Sequence, residues 1–172
     1  MKTKLAKRLS YLYTGELTAT IAFIFLSILV HFTYPSLHLY HLISFCVSFF
    51  FLEFLLIQGT FYWYTKWKRL KHENTSITPI EVVKRMKGFM KWNVLFIIIT
   101  PFTFIVDYLR FSDRLPFNGF LLVGFIYLFA ILEYINYYYY QLMYDNQDDL
   151  AHLKRTKRLK RASLSKDFDR LH

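Results

Sequence analysis

Residues 45–63 read FCVSFFFLEFLLIQGTFYW, an apolar run broken by one carboxylate, Glu53. No charged stripe recurs at helical spacing, so the run does not read as a soluble amphipathic helix. It also lacks the apolar–polar alternation of a barrel strand. A helix rises about 1.5 Å per residue, and about 20 residues cross the hydrocarbon layer of a bilayer. Extended to about 41–63, the block therefore predicts a membrane-spanning helix.

Three further blocks have the same character. They run over about 13–34 (through IAFIFLSILVHF), 89–108 (through WNVLFIIITPFTFIVDY) and 117–140 (through FLLVGFIYLFAILEYINYYYY). Of 172 residues, 55% are hydrophobic, 21% aromatic and only 20% charged. Four such helices in so short a chain leave no polar faces for water, so lipid is the expected solvent. The fold class is all-α, an integral membrane four-helix bundle running up-down-up-down over residues 1–144. A basic, partly helical tail follows over 145–172. The basic start with Lys2, Lys4, Lys7 and Arg8 resembles a signal peptide. Its apolar part is too long, however, and no small-x-small cleavage site follows, so a retained span is expected.

All of the 22 Lys and Arg residues except Arg110 and Arg114 fall before the first span, between the second and third, or after the fourth. The positive-inside rule puts that side, with both termini, in the cytoplasm. The net charge of +10 then reads as a topology signal and an attraction to an anionic inner leaflet, not as a nucleic-acid surface. Trp63, Trp67 and Trp92 sit at the inner boundary, and Tyr134 to Tyr144 at the same level, as an aromatic belt. Scarce alanine beside abundant Phe, Tyr, Ile and Lys suggests an A/T-rich genome and a bacterial plasma membrane.

Local signals sharpen the architecture. Thr78-Pro79-Ile80-Glu81 has the pattern of a capping box with proline at the first helical position, which starts the third helix in the cytoplasm. Ser112 or Asp113 before Pro116 offers a similar start to the fourth. Pro101 removes one rung of the third helix and kinks it unless a neighbour satisfies the freed carbonyl. In the tail, Leu150, Leu153, Leu164, Phe168 and Leu171 recur at roughly helical spacing beside KRTKRLKR. Two readings are open, an amphipathic helix on the inner leaflet and a solvated charged tail. Lys154, Arg155, Lys157, Arg158, Lys160 and Arg161 would face anionic lipid.

Ionisable groups inside spans are expensive and mark candidate sites. Glu53 lies near mid-bilayer and Glu133 in the inner half of the fourth span, and no Lys or Arg shares their depth. Such carboxyls stay protonated, bind a cation or face water. Glu16, Asn93, Asn136 and Tyr137 fall at the depth of Glu133, and Gln58 lies near Glu53. They outline a polar cavity suited to a cation, an amine or a lipid head group. The competing reading is a set of interhelical hydrogen bonds. His31, His38 and His41 sit at the outer mouth without the carboxylate or thiol that would complete a metal site.

Catalytic patterns are missing. There is no CxxC, GxSxG, HExxH, phosphate loop or dinucleotide-binding glycine pattern, and Cys46 is the single cysteine. No metal or cofactor is expected. The leading reading is a non-enzymatic interaction, accessory or immunity-type membrane module, acting on a membrane protein partner or as a homo-oligomer. The rival is a small cation- or proton-linked transporter or ligand-binding protein using Glu53 and Glu133. A lipid-modifying enzyme ranks third.

Overall fold

The structure is a computed structural model describing residues 2–111, 116–143, 151 and 154–171. Its helices are α1 (Lys2–Thr33), α2 (Ile43–His72), α3 (Ile80–Arg110), α4 (Phe117–Tyr138) and a short α5 (Ser163–Phe168). Single 3-10 turns occupy Pro35–Leu37, Leu39–His41 and Asp169–Leu171. Among the described residues there is no strand, only an isolated bridge between Tyr140 and Arg161. Helices α1 to α4 are each long and apolar enough to cross a membrane.

The first three helices outrun the apolar blocks. Helix α1 begins at Lys2, α2 runs on to His72 and α3 begins at Ile80. Hydropathy marks only the part that suits hydrocarbon. The flanking Lys, Arg, Glu and Leu residues are good helix formers and carry the ladder into water. Helix α4 ends at Tyr138, two residues short of the block's end at 140.

Helix α2 is the hub. Its most apolar window is 56% buried within the chain, against 11% for α1 and for α3. Ser48, Phe51, Leu55, Gln58 and Tyr62 recur every three or four residues and form one fully covered face. Helices α1, α3 and α4 each pack mainly on α2, while α3 and α4 meet over a short stretch. Phe51, Leu55, Leu56, Ala130 and Tyr134 belong to one apolar cluster, and Leu39, Leu42, Phe45 and Val123 to a second at the opposite end of α2. Tyr13 of α1 sets its ring 5.6 Å from Tyr64 and 5.3 Å from Trp67, and Phe23 lies 6.1 Å from Phe129 of α4.

Residues distant in sequence finish the helix ends. Leu42 precedes α2 without a side-chain cap. Instead the fully buried Asp107 of α3 accepts hydrogen bonds from Ile43 N (3.1 Å) and Ser44 N (2.7 Å). Its negative charge sits where the first-turn amides and the helix dipole favour it. Pro101 lies within α3, and the carbonyl it cannot serve is that of Ile97. Tyr127 of α4 donates to that oxygen at 2.7 Å. Gly119 of α4 has no side chain, which admits the Leu37 carbonyl of the first turn.

Three sequence expectations are corrected. The capping box does not form, because Thr78 turns its hydroxyl to Asp167 (2.6 Å) and α3 starts without a side-chain cap. Tyr134, Tyr137 and Tyr138 are core residues, not belt residues, because their rings fill the space between α4 and α2. Leu164 and Phe168 of the tail pack into the same cluster, so this part of the tail covers the helices and does not lie on a leaflet. Ser112, Asp113, Tyr144, Leu150 and Leu153 fall outside the described residues.

Candidate functional site

The polar side chains singled out in the spans separate into three groups. The first joins α1 and α4. Glu16 lies close enough to Tyr137 and Glu133 to interact with both electrostatically. Asn136 donates to Glu133 Oε2 at 3.3 Å, and its own oxygen accepts the Leu142 amide at 2.8 Å. That second bond turns the chain just past the end of α4. The Tyr137 hydroxyl is buried without a hydrogen bond of good geometry. Its ring rests on Gly59 of α2, where a Cβ would run into the hydroxyl and the ring edge. Gly59 is thus a site residue that the sequence reading missed. A lone glycine within an apolar helix was its only signal.

The second group is a closed knot. Gln58 and Asn93 exchange two amide hydrogen bonds, each of 3.0 Å. Tyr138 Oη donates to Gln58 Oε1 at 2.6 Å and approaches the Met86 carbonyl at 3.2 Å. All of these side chains are buried. The knot fastens α2 to α3 and α4, and Asn93 points into it and not toward Glu133.

Glu53 makes the third group alone. It is buried, and among the described residues neither carboxyl oxygen has a hydrogen-bond partner. Glu53, Thr60, Tyr64 and Trp67 share one face of α2 by spacing, and the last two carry the α1 ring Tyr13. Thr60 also has a buried, unpartnered hydroxyl. Glu53 and Thr60 therefore leave buried polar atoms of α2 without hydrogen bonds among the described residues.

A fourth arrangement was not anticipated. Asp167 of α5 accepts from Thr78 (2.6 Å) and Tyr62 (2.7 Å) through one oxygen, which also lies 3.1 Å from Lys66 Nζ. Lys66 donates to Ser163 Oγ at 2.8 Å, and Arg170 donates to the Thr78 carbonyl at 2.9 Å. Phe168 stacks near Tyr138, with ring centroids 6.1 Å apart. Burial pushes the Asp167 carboxyl up. The hydrogen bonds from Thr78 and Tyr62 and the Lys66 charge outweigh it, and hold the group below the usual carboxylate range. The clasp pins the tail to the end of α2.

The basic tail residues differ in exposure. Lys154, Arg155, Lys157 and Arg158 are exposed, and Lys160 is half-buried. Arg161 is engaged by Asp169 at 3.0 and 3.1 Å and by Ser165. Among the histidines, His38 and His41 lie 5.9 Å apart, while His31 packs on Tyr40. No three His, Cys, Asp or Glu side chains gather for a metal among the described residues. The chain matches no protein-family model, no curated protein and no solved structure.

Proposed function

We propose that the chain is a multi-pass plasma-membrane protein, running up-down-up-down with both termini cytoplasmic. In this reading it works as a non-enzymatic interaction, accessory or immunity-type module. One observation carries it. Polar side chains such as Gln58, Asn93, Asp107 and Tyr127 spend their hydrogen bonds on other helices of the chain, while only 11% of the apolar window of α1 and of α3 is buried within it. Side chains such as Phe25, Leu29 and Phe32 of α1, and Phe102, Ile105 and Leu109 of α3, form outward stripes at helical spacing. These are faces that a second membrane protein or another copy can cover by close packing. The exposed cations of the tail orient the module against an anionic inner leaflet. Purification in mild detergent is expected to return one membrane protein, or further copies of the chain, in fixed ratio. A strictly monomeric chain recovered alone from its native membrane would end this reading.

A second reading, a small cation- or proton-linked transporter or ligand-binding protein, rests on the unpartnered Glu53 carboxyl and the Glu16–Glu133 pair. A cation bound at the Glu16–Glu133 pair, or a separate one beside Glu53, would answer these acids. Cation- or proton-driven flux in liposomes, lost in Glu53→Gln and Glu133→Gln at unchanged abundance, supports it. Absence of flux and of cation binding removes it.

A further inference from the structure

At the end of α2 that carries the clasp, an open-sided groove of about 790 Å³ lies between this helix and the Thr78–Glu81 segment. Its size falls in the ~300–1,000 Å³ range of ligand sites. Along α2 its wall changes in a fixed order. Phe61 comes first, then Tyr64 and Thr65, then Lys68 and His72. At about 1.5 Å per residue this sequence spans roughly 16 Å. It passes from aromatic through hydroxyl to nitrogen-donor chemistry, with the Lys68 charge at that end. Trp63 and Trp67 lie at the same level of α2, and such rings favour the membrane–water boundary.

The charges at the polar end are not equivalent. Arg69 is paired with Glu73 and donates to the Ile77 carbonyl. Arg170 donates to the Thr78 carbonyl and lies 3.8 Å from Asp167. Glu81 stands exposed on the opposite wall. Lys68 and His72 are exposed, and among the described residues no hydrogen bond or ion pair occupies either. The cationic end therefore keeps free donors, although two acids line the same groove.

We propose that this groove holds one anionic phospholipid, with an acyl chain against Phe61 and Tyr64 and the phosphate at Lys68 and His72. The graded wall matches the order of a lipid from chain to glycerol to phosphate. The open side admits it laterally from the bilayer. A soluble anion would have no use for the aromatic end, and a zwitterionic lipid would bring its own cation beside Lys68. The site is separate from the exposed Lys154, Arg155, Lys157 and Arg158, and it needs no protein partner, so it stands or falls independently of the interaction reading.

The test is native mass spectrometry of the full chain, released from micelles holding equal phosphatidylglycerol and phosphatidylcholine. Retention of one phosphatidylglycerol per chain in preference to phosphatidylcholine is expected. Lys68→Gln should lower that retention about fivefold, the effect of one cation at a membrane surface, and Lys68→Glu should abolish it. Lys91→Gln, an equal loss of charge from the exposed side of α3, should leave it unchanged. Equal retention of the two lipids, or equal losses from the Lys68 and Lys91 variants, overturns the site. Lys68 is exposed and has no hydrogen bond or ion pair among the described residues, so loss of folding does not confuse the result.

Discussion

The Tyr127 hydroxyl donates to the carbonyl of Ile97 at 2.7 Å, and Ile97 is the residue whose helical partner would have been Pro101. In hydrocarbon no water can fill such a gap. One helix therefore completes the ladder of another. We expect Tyr127→Phe to cost about 1–2 kcal/mol. In a Pro101→Ala background, where the amide returns, the same change should cost much less. Unfolding in mixed micelles measures both, and equal costs in the two backgrounds would refute the link.

Asp107 should behave as a cap supplied from outside its own helix. Asp107→Ala leaves the Ile43 and Ser44 amides bare, and is expected to lose about 1–2 kcal/mol. Asp107→Asn keeps an acceptor but not the charge, so it should fall between the two. Hydrogen exchange at Ser44 reports the effect locally. Unchanged exchange at Ser44 in Asp107→Ala would refute the cap.

Gly59→Ala drives a methyl group into Tyr137. Overpacking of this kind costs about 1–3 kcal/mol. Removing the hydroxyl in Gly59→Ala with Tyr137→Phe should recover part of that loss, since the hydroxyl is the nearest obstacle. A double variant no more stable than Gly59→Ala alone would show that the ring, not its oxygen, sets the fit.

Tail docking should depend on acid in a defined direction. The Asp167 carboxyl is held below its usual range in the docked state. Its contribution is therefore complete above the free carboxylate value, about 3.9. It is lost as pH falls through the lower docked value. Proteolytic cleavage near Lys160 should stay slow from neutral pH to about 5 and accelerate below about 4. Asp167→Asn should release the tail at neutral pH. It also strands the buried Lys66 ammonium, at a cost of about 3–5 kcal/mol. Cleavage independent of both acid and this substitution would remove the clasp.

The four apolar helices were legible because lipid demands a long uninterrupted run, and the run is visible in one dimension. Their ends were not, since Lys2 to Arg8 and Lys66 to His72 continue a helix without being apolar. The Pro101 gap could be foreseen, but not that Tyr127 would fill it. Thr78 illustrates the harder case. Its local pattern fits a cap, yet a carboxylate 89 positions later takes its hydroxyl. Glu16, Glu133 and Tyr137 could be grouped by depth, because depth follows from counting residues. Pairing of Gln58 with Asn93 could not, because which faces meet depends on packing. The spacing of Leu164 and Phe168 announced an apolar face but not what it covers.

The two long-range ties on α2 also set an order of events during synthesis. This helix is made second, yet its first amides wait for residue 107 and its lysine for residue 167. A nascent chain halted before Ser163 would already possess every apolar helix and still carry a bare ammonium at the end of its hub. The helix that holds the others is thus completed only once Asp167 has left the ribosome.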